Sequence, residues 1–249
     1  MLYAICNLSI VPLRCEPSDK SELVSQVLYG EIFKVLEKRK NWSKIRLAFD
    51  NYEGWIDNKQ YLEISEESYK NLAAEDLILS TDLVEFVSDS NGKLYTVTLG
   101  SVMNGNTLLK HAFDGQTASA NKSKSNILHY AFLYLNAPYL WGGKTPFGID
   151  CSGFTQMVYK LNGCKINRDA SQQATQGQAL SFIEESEPGD LAFFDNNDGE
   201  IIHVGIIMEN NYIIHAHGKV RIDRLDQTGI YNAEKNEHTH KLRVIKKIF

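Results

Sequence analysis

The sequence has little of what a disulfide scaffold, a membrane span or a nucleic-acid-binding surface requires. It contains four cysteines in 249 residues, too few for a disulfide framework in a chain of this length. No apolar run approaches the roughly 20 residues of a membrane helix. A formal net charge of -5 argues against a broad electrostatic grip on nucleic acid or anionic lipid. We therefore expect a globular protein that has neither a nucleic acid nor a membrane as its partner. We also expect it to be a monomer.

The start of the chain lacks the pattern of a secretory signal. Residues 1–11 are mildly apolar, but no basic stretch opens them, Asn7 and Ser9 interrupt them, and no small-residue cleavage site follows. This pattern is typical of a first strand rather than of a signal peptide. We expect a cytoplasmic protein, or one of the cell envelope if a leader peptide has been removed.

The first quarter of the chain has the spacing of short strands. Trp42–Leu47 alternates between apolar and polar residues, and the turn residues Asp50 and Asn51 separate it from a second run at residues 54–56. Strands of this length and spacing favour a small all-β barrel. We place this barrel at residues 1–64.

A second set of strand-like runs follows a charged connector at residues 65–76. The pair Asn91 and Gly92 marks a hairpin turn between two of these runs. A second, degenerate barrel is therefore expected over residues 65–121, and it includes the start of a polar linker at residues 119–125.

The second half of the chain changes character. Apolar residues recur at helical spacing in residues 127–135 and again in residues 154–161. Gly163 stands where a helix commonly ends on a glycine. Strand-like runs follow at residues 191–194, 203–208, 212–217, 220–223 and 242–248, and helices followed by strands indicate an α+β domain. We place this domain at residues 122–249.

One of the four cysteines differs from the others in its position. Cys151 follows Asp150 at the start of the second predicted helix, where the helix dipole and unpaired N–H groups lower the pKa of a thiol. A buried, inert cysteine beside a plain N-cap aspartate is the alternative. Cys6, Cys15 and Cys164 have no metal-ligand spacing, and we expect them to be small buried or half-buried residues.

Three of the seven histidines fall on two adjacent predicted strands. A three-residue loop at 209–211 would pair Gly205 with His215 and would put His203 and His215 diagonally on one face. His215 would then hold one imidazole nitrogen of His203 while the other nitrogen faces Cys151. His217 shares that face, so periodicity does not choose between it and His215. Solvated histidines on a surface strand and a metal site are the alternatives.

Several separated motifs resemble those of the NlpC family of cell-wall cysteine peptidases, in the same order along the chain. They are Tyr139-Leu140-Trp141-Gly142-Gly143, Asp150-Cys151-Ser152-Gly153-Phe154, Gly189-Asp190-Leu191-Ala192-Phe193-Phe194, His203-Val204-Gly205-Ile206 and Ile214-His215-Ala216. The resemblance spans residues 122–249 and implies a papain-like domain that needs no cofactor and no metal. It also implies that Cys151 is the nucleophile, His203 the base and His215 the orienting group.

The whole layout resembles one branch of that family. Trp42, Ile45, Arg46 and the triplet at residues 54–56 are similar to a bacterial SH3-like domain. The branch comprises γ-D-glutamyl-L-diamino acid endopeptidases of the dipeptidyl-peptidase VI type, in which SH3-like barrels precede the papain-like domain. The resemblance implies release of L-Ala-γ-D-Glu from peptidoglycan stem peptides with a free L-Ala, as in murein peptide recycling. It leaves open whether the diamino acid is lysine or diaminopimelate.

The same resemblance implies a set of substrate-binding residues. Asp150 and Ser152 would contact the amino end of the substrate, together with Asp169, although a helix N-cap is an alternative role for Asp169. Ala170 stands where the family pattern has a serine. Two tyrosines complete the set of candidates: Tyr52 and Tyr139.

Two other functional hypotheses stay open at this stage. The chain could be a non-catalytic peptidoglycan-binding protein, or a Cys/His amidase or acyltransferase on another substrate. Thiol alkylation near neutral pH separates the first from an enzyme, because an inert domain has no fast-reacting cysteine.

Overall fold

The computed structural model describes residues 1–119 and 122–249, which fall into two compact units. The first unit comprises the chain up to residue 121 together with residues 141–146, and the second comprises residues 122–140 and 147–249. The predicted linker includes residues 120 and 121, which lie outside the described residues. The predicted domain limits after residues 64 and 121 remain predictions. No helix among the described residues is long and apolar enough to span a membrane.

The first unit begins with a seven-stranded antiparallel sheet. Its strands are β1 (Leu2–Ile5), β2 (Ile10–Arg14), β3 (Leu23–Leu28), β4 (Ile32–Lys38), β5 (Trp42–Leu47), β6 (Glu53–Asp57) and β7 (Leu62–Ile64), in the order β3-β2-β6-β5-β4-β1-β7. Burial alternates along β5 as predicted from residue 44 onward, with Ile45 and Leu47 buried, but at its start the polar Ser43 is buried and the apolar Trp42 only half-buried. Ile45 and Leu47 belong to one hydrophobic core formed by these strands.

The rest of the first unit is built from short elements. They are α1 (Glu66–Ala74), β8 (Ile78–Ser80), β9 (Val84–Asp89), β10 (Leu94–Thr98), α2 (Asn106–Leu109), β11 (His111–Phe113) and β12 (Thr117–Ser119). The predicted hairpin joins β9 to β10, with Gly92 at a φ of 78°. β9, β10 and β11 form a three-stranded sheet, whereas β8 pairs with β12. A second barrel in this region remains a prediction.

The segment 141–146 is anchored within the first unit by buried polar contacts. It contains the short strand β13 (Lys144–Thr145). The buried ammonium of Lys144 lies 3.4 Å from the buried Glu31 carboxylate, and the Lys144 backbone N–H donates to Gln26 Oε1 at 2.7 Å. A buried ion pair of this kind fixes a geometry, because separating the two charges would leave each one uncompensated.

The second unit has helices first and a sheet after them, as the sequence predicts. Its elements are α3 (Ile127–Phe132), β14 (Gly148–Ile149), α4 (Cys151–Leu161), α5 (Ala170–Gln173), β15 (Gln178–Leu180), β16 (Leu191–Asp195), β17 (Ile201–Met208), β18 (Tyr212–His217), β19 (Lys219–Leu225), β20 (Gly229–Asn232) and β21 (Glu237–Lys247). Short 3-10 turns lie at Lys124–Asn126, Ile183–Glu185 and Glu209–Asn211. β20 lies outside the predicted strand-like runs.

The sheet of the second unit is closed on itself. Its strand order is β15-β21-β16-β17-β18-β19-β20, and β20 also pairs with β21. The apolar core that this closure creates includes Phe194, Ile207, Ile213 and Ile230. Because the sheet is closed, β21 pairs with β16, which is distant from it in the sequence. This pairing determines which side chains of β21 lie near those of β16 and β17.

The helix that carries Cys151 packs against this sheet. α4 contacts β17 and β18, and its residues are buried over the whole length. The helix ends as predicted, because Gly163 has a φ of 77° and the Cys164 N–H donates to the Tyr159 carbonyl at 2.8 Å. The start of α4 is thereby held against the strand that carries His203.

Candidate active site

Cys151 is the first residue of α4 and is buried at the helix start. Asp150 is the N-cap, and its Oδ1 accepts the Gly153 N–H at 2.6 Å. The backbone N–H groups of Val204 and Ser152 interact with the thiol. Val204 directly follows His203 in β17, so the thiol lies beside the strand residue next to the predicted base.

The ionisation of Cys151 differs from the sequence prediction. Burial raises the pKa of the thiol to about 12, and the negative charge of Asp150 adds to this rise. The contacts from backbone N–H groups and from Arg168 lower the pKa by less. The predicted fall in the pKa is therefore wrong, because the helix start is desolvated as well as polar. In the resting protein the thiol is neutral at neutral pH.

His203 and His215 form a hydrogen-bonded pair. His203 Nε2 lies 2.8 Å from His215 Nδ1, and both side chains are buried. The predicted register is confirmed, because Gly205 pairs with His215 and the loop comprises the three residues Glu209–Asn211. His217 is exposed, and its contact with His203 is between the rings, with centroids 6.4 Å apart. Of the two histidines that periodicity left open, His215 is the one within hydrogen-bond distance of His203.

Asp223, which was not among the predicted site residues, forms a hydrogen bond with the second histidine of this pair. Its Oδ2 lies 3.0 Å from His215 Nε2, and both of its oxygens accept hydrogen bonds from Arg221 at 2.7 and 2.9 Å. The sequence does contain a pattern from which the position of Asp223 could have been predicted. Gly218 suits a tight turn, and a hairpin there puts Arg221 opposite His215 and Asp223 diagonal to it.

His240 is a second side chain at the site that was not among the predicted residues. Its ring stacks on that of His203, with centroids 4.2 Å apart and an interplanar angle of 28°. Burial is the main reason that the pKa of His240 falls to about 3 and that of His203 falls well below 6.5. The site therefore contains neutral imidazoles at neutral pH.

These shifts predict how activity depends on pH. The neutral form of His203 is the one that accepts the thiol proton. Because burial keeps the pKa of His203 well below 6.5, that form persists as the pH falls through 6.5. We expect kcat/KM, which reports the free enzyme, to stay level from neutral pH down to 6.5 and to decline only at lower pH. A fall in kcat/KM on the acid side with its midpoint at or above pH 6.5 would contradict the burial of the base.

Asp150 is engaged by a buried arginine. Arg168 Nη2 lies 2.6 Å from Asp150 Oδ2, and Nη1 lies 3.0 Å from both Asp150 Oδ1 and Ser152 Oγ. The charge of Asp150 is therefore balanced within the protein. The predicted contacts of Asp150 and Ser152 with substrate remain predictions. A substrate group that binds these side chains would share them with the Arg168 guanidinium.

Asp169 adopts the N-cap role considered for it. It begins α5 with a capping box, in which its side chain accepts the Gln172 N–H and the Gln172 side chain accepts the Asp169 N–H. Ala170, at the expected serine position, is the first residue of this helix and is buried. Asp169 remains partly exposed, so a cap does not exclude a second role.

The two candidate tyrosines lie in different units. Tyr139 is partly exposed, and its pKa is raised to about 12 by burial and by the nearby Cys151 and Asp150. Tyr52 lies in the first unit, where its side chain packs against the core of the barrel. Their predicted roles toward substrate remain predictions.

The other cysteines do not resemble Cys151 in their surroundings. Cys6 is buried and Cys164 half-buried, as expected, whereas Cys15 is exposed, contrary to expectation. All four thiols are free. Within residues 1–119 and 122–249, no group of three or more His, Cys, Asp or Glu residues is arranged to hold a metal ion.

Comparison with known families agrees with the motifs. The NlpC/P60 family matches residues 136–239, and the bacterial dipeptidyl-peptidase Sh3 domain matches residues 13–60. Similar proteins include dipeptidyl-peptidase 6 of Lysinibacillus sphaericus, at 28% identity over 91% of this chain and 93% of that protein. Another is the gamma-D-glutamyl-L-lysine dipeptidyl-peptidase of Bacillus subtilis (strain 168), at 28% identity over 77% and 71% of the two chains.

A solved structure shares the fold over the whole chain. The crystal structure of an NlpC/P60 family protein from Bacillus cereus ATCC 10987 has a TM-score of 0.81 with this chain, 20% sequence identity and 99% coverage of both chains. The predicted fold class, a papain-like NlpC-type α+β domain behind all-β SH3-like structure, is thus confirmed. Residues 136–239 thus form an NlpC/P60 cysteine peptidase domain, and a bacterial dipeptidyl-peptidase SH3 domain at residues 13–60 precedes it in the chain.

Proposed function

We propose that this chain hydrolyses the γ-D-glutamyl-L-diamino acid bond of peptidoglycan stem peptides and releases L-Ala-γ-D-Glu. One observation carries the proposal: Cys151 begins a helix beside the strand of His203, whose Nε2 is held by His215 at 2.8 Å. Nucleophile, base and orienting group are the parts that covalent catalysis by a thiol requires. The names of the two dipeptidyl-peptidases to which the chain is similar support the substrate.

The chemistry follows from the neutral resting site. As the Cys151 sulfur attacks the γ-carbonyl of D-Glu, its proton moves to His203, and a thioester forms when the C–N bond breaks. His203 gives the proton to the leaving amine and then takes one from the water that hydrolyses the thioester. The Cys151 backbone N–H at the helix start is a suitable donor to the oxyanion.

Recognition of the substrate amine is assigned to Asp169. Asp150 already compensates the buried guanidinium of Arg168, so it has no spare charge for an ammonium group. Asp169 is the partly exposed carboxylate of the adjoining segment. A carboxylate there favours peptides that begin with a free L-Ala, because it forms a charge-assisted hydrogen bond with the ammonium group.

Asp169→Asn tests this assignment. Asparagine keeps the N-cap of α5 but loses the charge, so we expect kcat/KM for the free tripeptide to fall by about ten- to a hundredfold, the value of a hydrogen bond to a charged group. The matched comparison is the N-acetylated tripeptide, which lacks the ammonium. It should be a poor substrate of the wild type and should not become poorer in the variant. An equal loss on both peptides would make Asp169 a structural residue only.

The proposed reaction is tested with defined stem peptides. L-Ala-γ-D-Glu-L-Lys and its diaminopimelate counterpart are digested separately, and the dipeptide L-Ala-γ-D-Glu is followed by mass spectrometry. Release from either peptide supports the proposal and identifies the diamino acid. Absence of release would leave two alternatives. Alkylation of Cys151 that is slowed in His203→Ala would then indicate an amidase or acyltransferase on another substrate, and alkylation that does not depend on His203 a peptidoglycan-binding protein without activity.

We also propose that the protein is monomeric and works in the cytoplasm. Peptides with a free amino-terminal L-Ala are released fragments rather than intact wall, and recycling of such fragments suits an internal compartment. Sedimentation equilibrium would test the first proposal, since a constant mass near 28.2 kDa at all concentrations is expected. Fractionation of cells from the source organism would test the second.

A further inference from the structure

A continuous line of hydrogen bonds runs from Asp223 to the base. Asp223 Oδ2 lies 3.0 Å from His215 Nε2, and His215 Nδ1 lies 2.8 Å from His203 Nε2. We infer that Asp223 is a positioning residue that sets the tautomers of both histidines and so leaves the lone pair of His203 on Nδ1, the nitrogen available to the thiol. The inference rests on the proposed role of His203 as base.

The first step concerns Asp223 itself. An ionised carboxylate can only accept hydrogen bonds. Burial opposes its ionisation, but the hydrogen bonds from His215 and Arg221 prevail and lower the pKa of Asp223. Arg221 also fixes the orientation of the carboxylate, since it donates to both oxygens. His215 must therefore place a hydrogen on Nε2.

The second step concerns the hydrogen bond between His215 and His203, whose direction depends on where His215 carries its hydrogen. Burial lowers the pKa of His215 and of His203, so each ring is neutral and carries one ring hydrogen. With the hydrogen of His215 on Nε2, its Nδ1 can only accept. The hydrogen between the two rings must then belong to His203 Nε2. This leaves His203 Nδ1 unprotonated, which is the form of the ring that can take a proton from Cys151.

Without the carboxylate, the opposite arrangement becomes equally accessible. His215 could carry its hydrogen on Nδ1 and donate it to His203 Nε2. His203 would then carry its own hydrogen on Nδ1, where it would face the thiol as a donor and could not accept a proton. Loss of Asp223 therefore weakens the base without removing any group that contacts the substrate.

Three variants separate this role from a structural one. Asp223→Leu removes the acceptor, whereas Asp223→Asn retains one acceptor oxygen for His215. Arg221→Met is the matched control, because it breaks the same ion pair but leaves the carboxylate on His215. The rate of alkylation by iodoacetamide is followed on the Cys151 peptide by mass spectrometry, alongside hydrolysis of the tripeptide. Ring 15N spectra of the resting wild type and variants report the tautomers directly.

The expected losses differ in size. Asp223→Leu should slow alkylation of Cys151 and hydrolysis by on the order of a hundredfold or more, as a wrong tautomer does in other triads. Asp223→Asn should recover most of this loss, and Arg221→Met should cost less than about tenfold, because each variant keeps an acceptor for His215. The spectra should show the hydrogen on Nε2 of both histidines in the wild type and a mixture in Asp223→Leu.

Two results would overturn the inference. One is a wild-type spectrum with the His203 hydrogen on Nδ1, and the other is an Asp223→Leu variant with normal alkylation. Because spectra and alkylation need no peptide, failure of the proposed substrate would leave these readings intact. A loss in Arg221→Met as large as that in Asp223→Leu would also overturn it, since the ion pair would then matter rather than the acceptor.

Discussion

Replacing Cys151 with alanine is expected to abolish hydrolysis while the protein stays folded. Loss of the nucleophile of a catalytic triad costs on the order of a millionfold in kcat. The substitution removes one sulfur atom at the helix start and keeps the Asp150 N-cap. Turnover of the tripeptide and the circular dichroism spectrum should be measured on the same preparation. Cys151→Ser should also be severely impaired, because a hydroxyl is a poorer nucleophile beside a neutral histidine.

The chain supplies its own controls for this prediction. Cys6, Cys15 and Cys164 are free thiols that lie outside the helices and strands, and their replacement by serine or alanine should leave kcat nearly unchanged. A large loss in Cys164→Ala would implicate another nucleophile. Full activity in both Cys151→Ala and Cys151→Ser would exclude the thiol mechanism altogether.

Replacing His203 with alanine should be more damaging than replacing His215 with glutamine. The base takes part in every proton transfer, so its removal should cost on the order of a hundred-thousandfold or more in kcat. Glutamine at position 215 can still accept the His203 Nε2–H through its side-chain oxygen, so a loss of only about ten- to a hundredfold is expected. Single-turnover rates on the tripeptide measure both effects without interference from product release.

The order of the two losses decides the roles. If His215→Gln proved the more damaging change, base and orienting group would have to be exchanged. His217→Gln is the matched control from the same strand, and its exposed ring should be replaceable with little effect on kcat. A heavy loss at position 217 would contradict the contact geometry of the pair.

The sequence was most informative where local rules set the geometry. The three-residue loop after Met208 fixed the register of β17 and β18, and with it the face shared by His203 and His215. The helix from Cys151 and its glycine end at Gly163 also followed from spacing and capping. These features depend on residues close together in the chain, so single-sequence patterns determine them.

The sequence was least informative where closure of the sheet sets the geometry. His240 reaches His203 because β21 pairs with both β16 and β20, and both of these pairings contain a register shift. β20 has four residues, too short a run for alternation to define a strand. Periodicity along one strand therefore could not place His240 on the catalytic face.

Burial and long-range pairing explain the remaining differences. The predicted pKa of Cys151 took account of the helix start but not of desolvation, which has the larger effect. Asp150 was treated as available to an ammonium group because its partner Arg168 lies 18 residues away. Only the folded chain shows that the arginine neutralises this carboxylate.

The anchored segment around Lys144 bears on how such proteins can be recombined. A catalytic half joined to a foreign barrel at residue 121 would still contain Lys144, but the new partner would have to supply a carboxylate in place of Glu31 and an amide in place of Gln26. If the ammonium stayed buried without them, the hybrid would lose about 3–5 kcal/mol of stability. The barrel and the peptidase domain therefore cannot be exchanged by a single junction at residue 121. Grafting a new barrel would require residues 141–146 to be exchanged together with it.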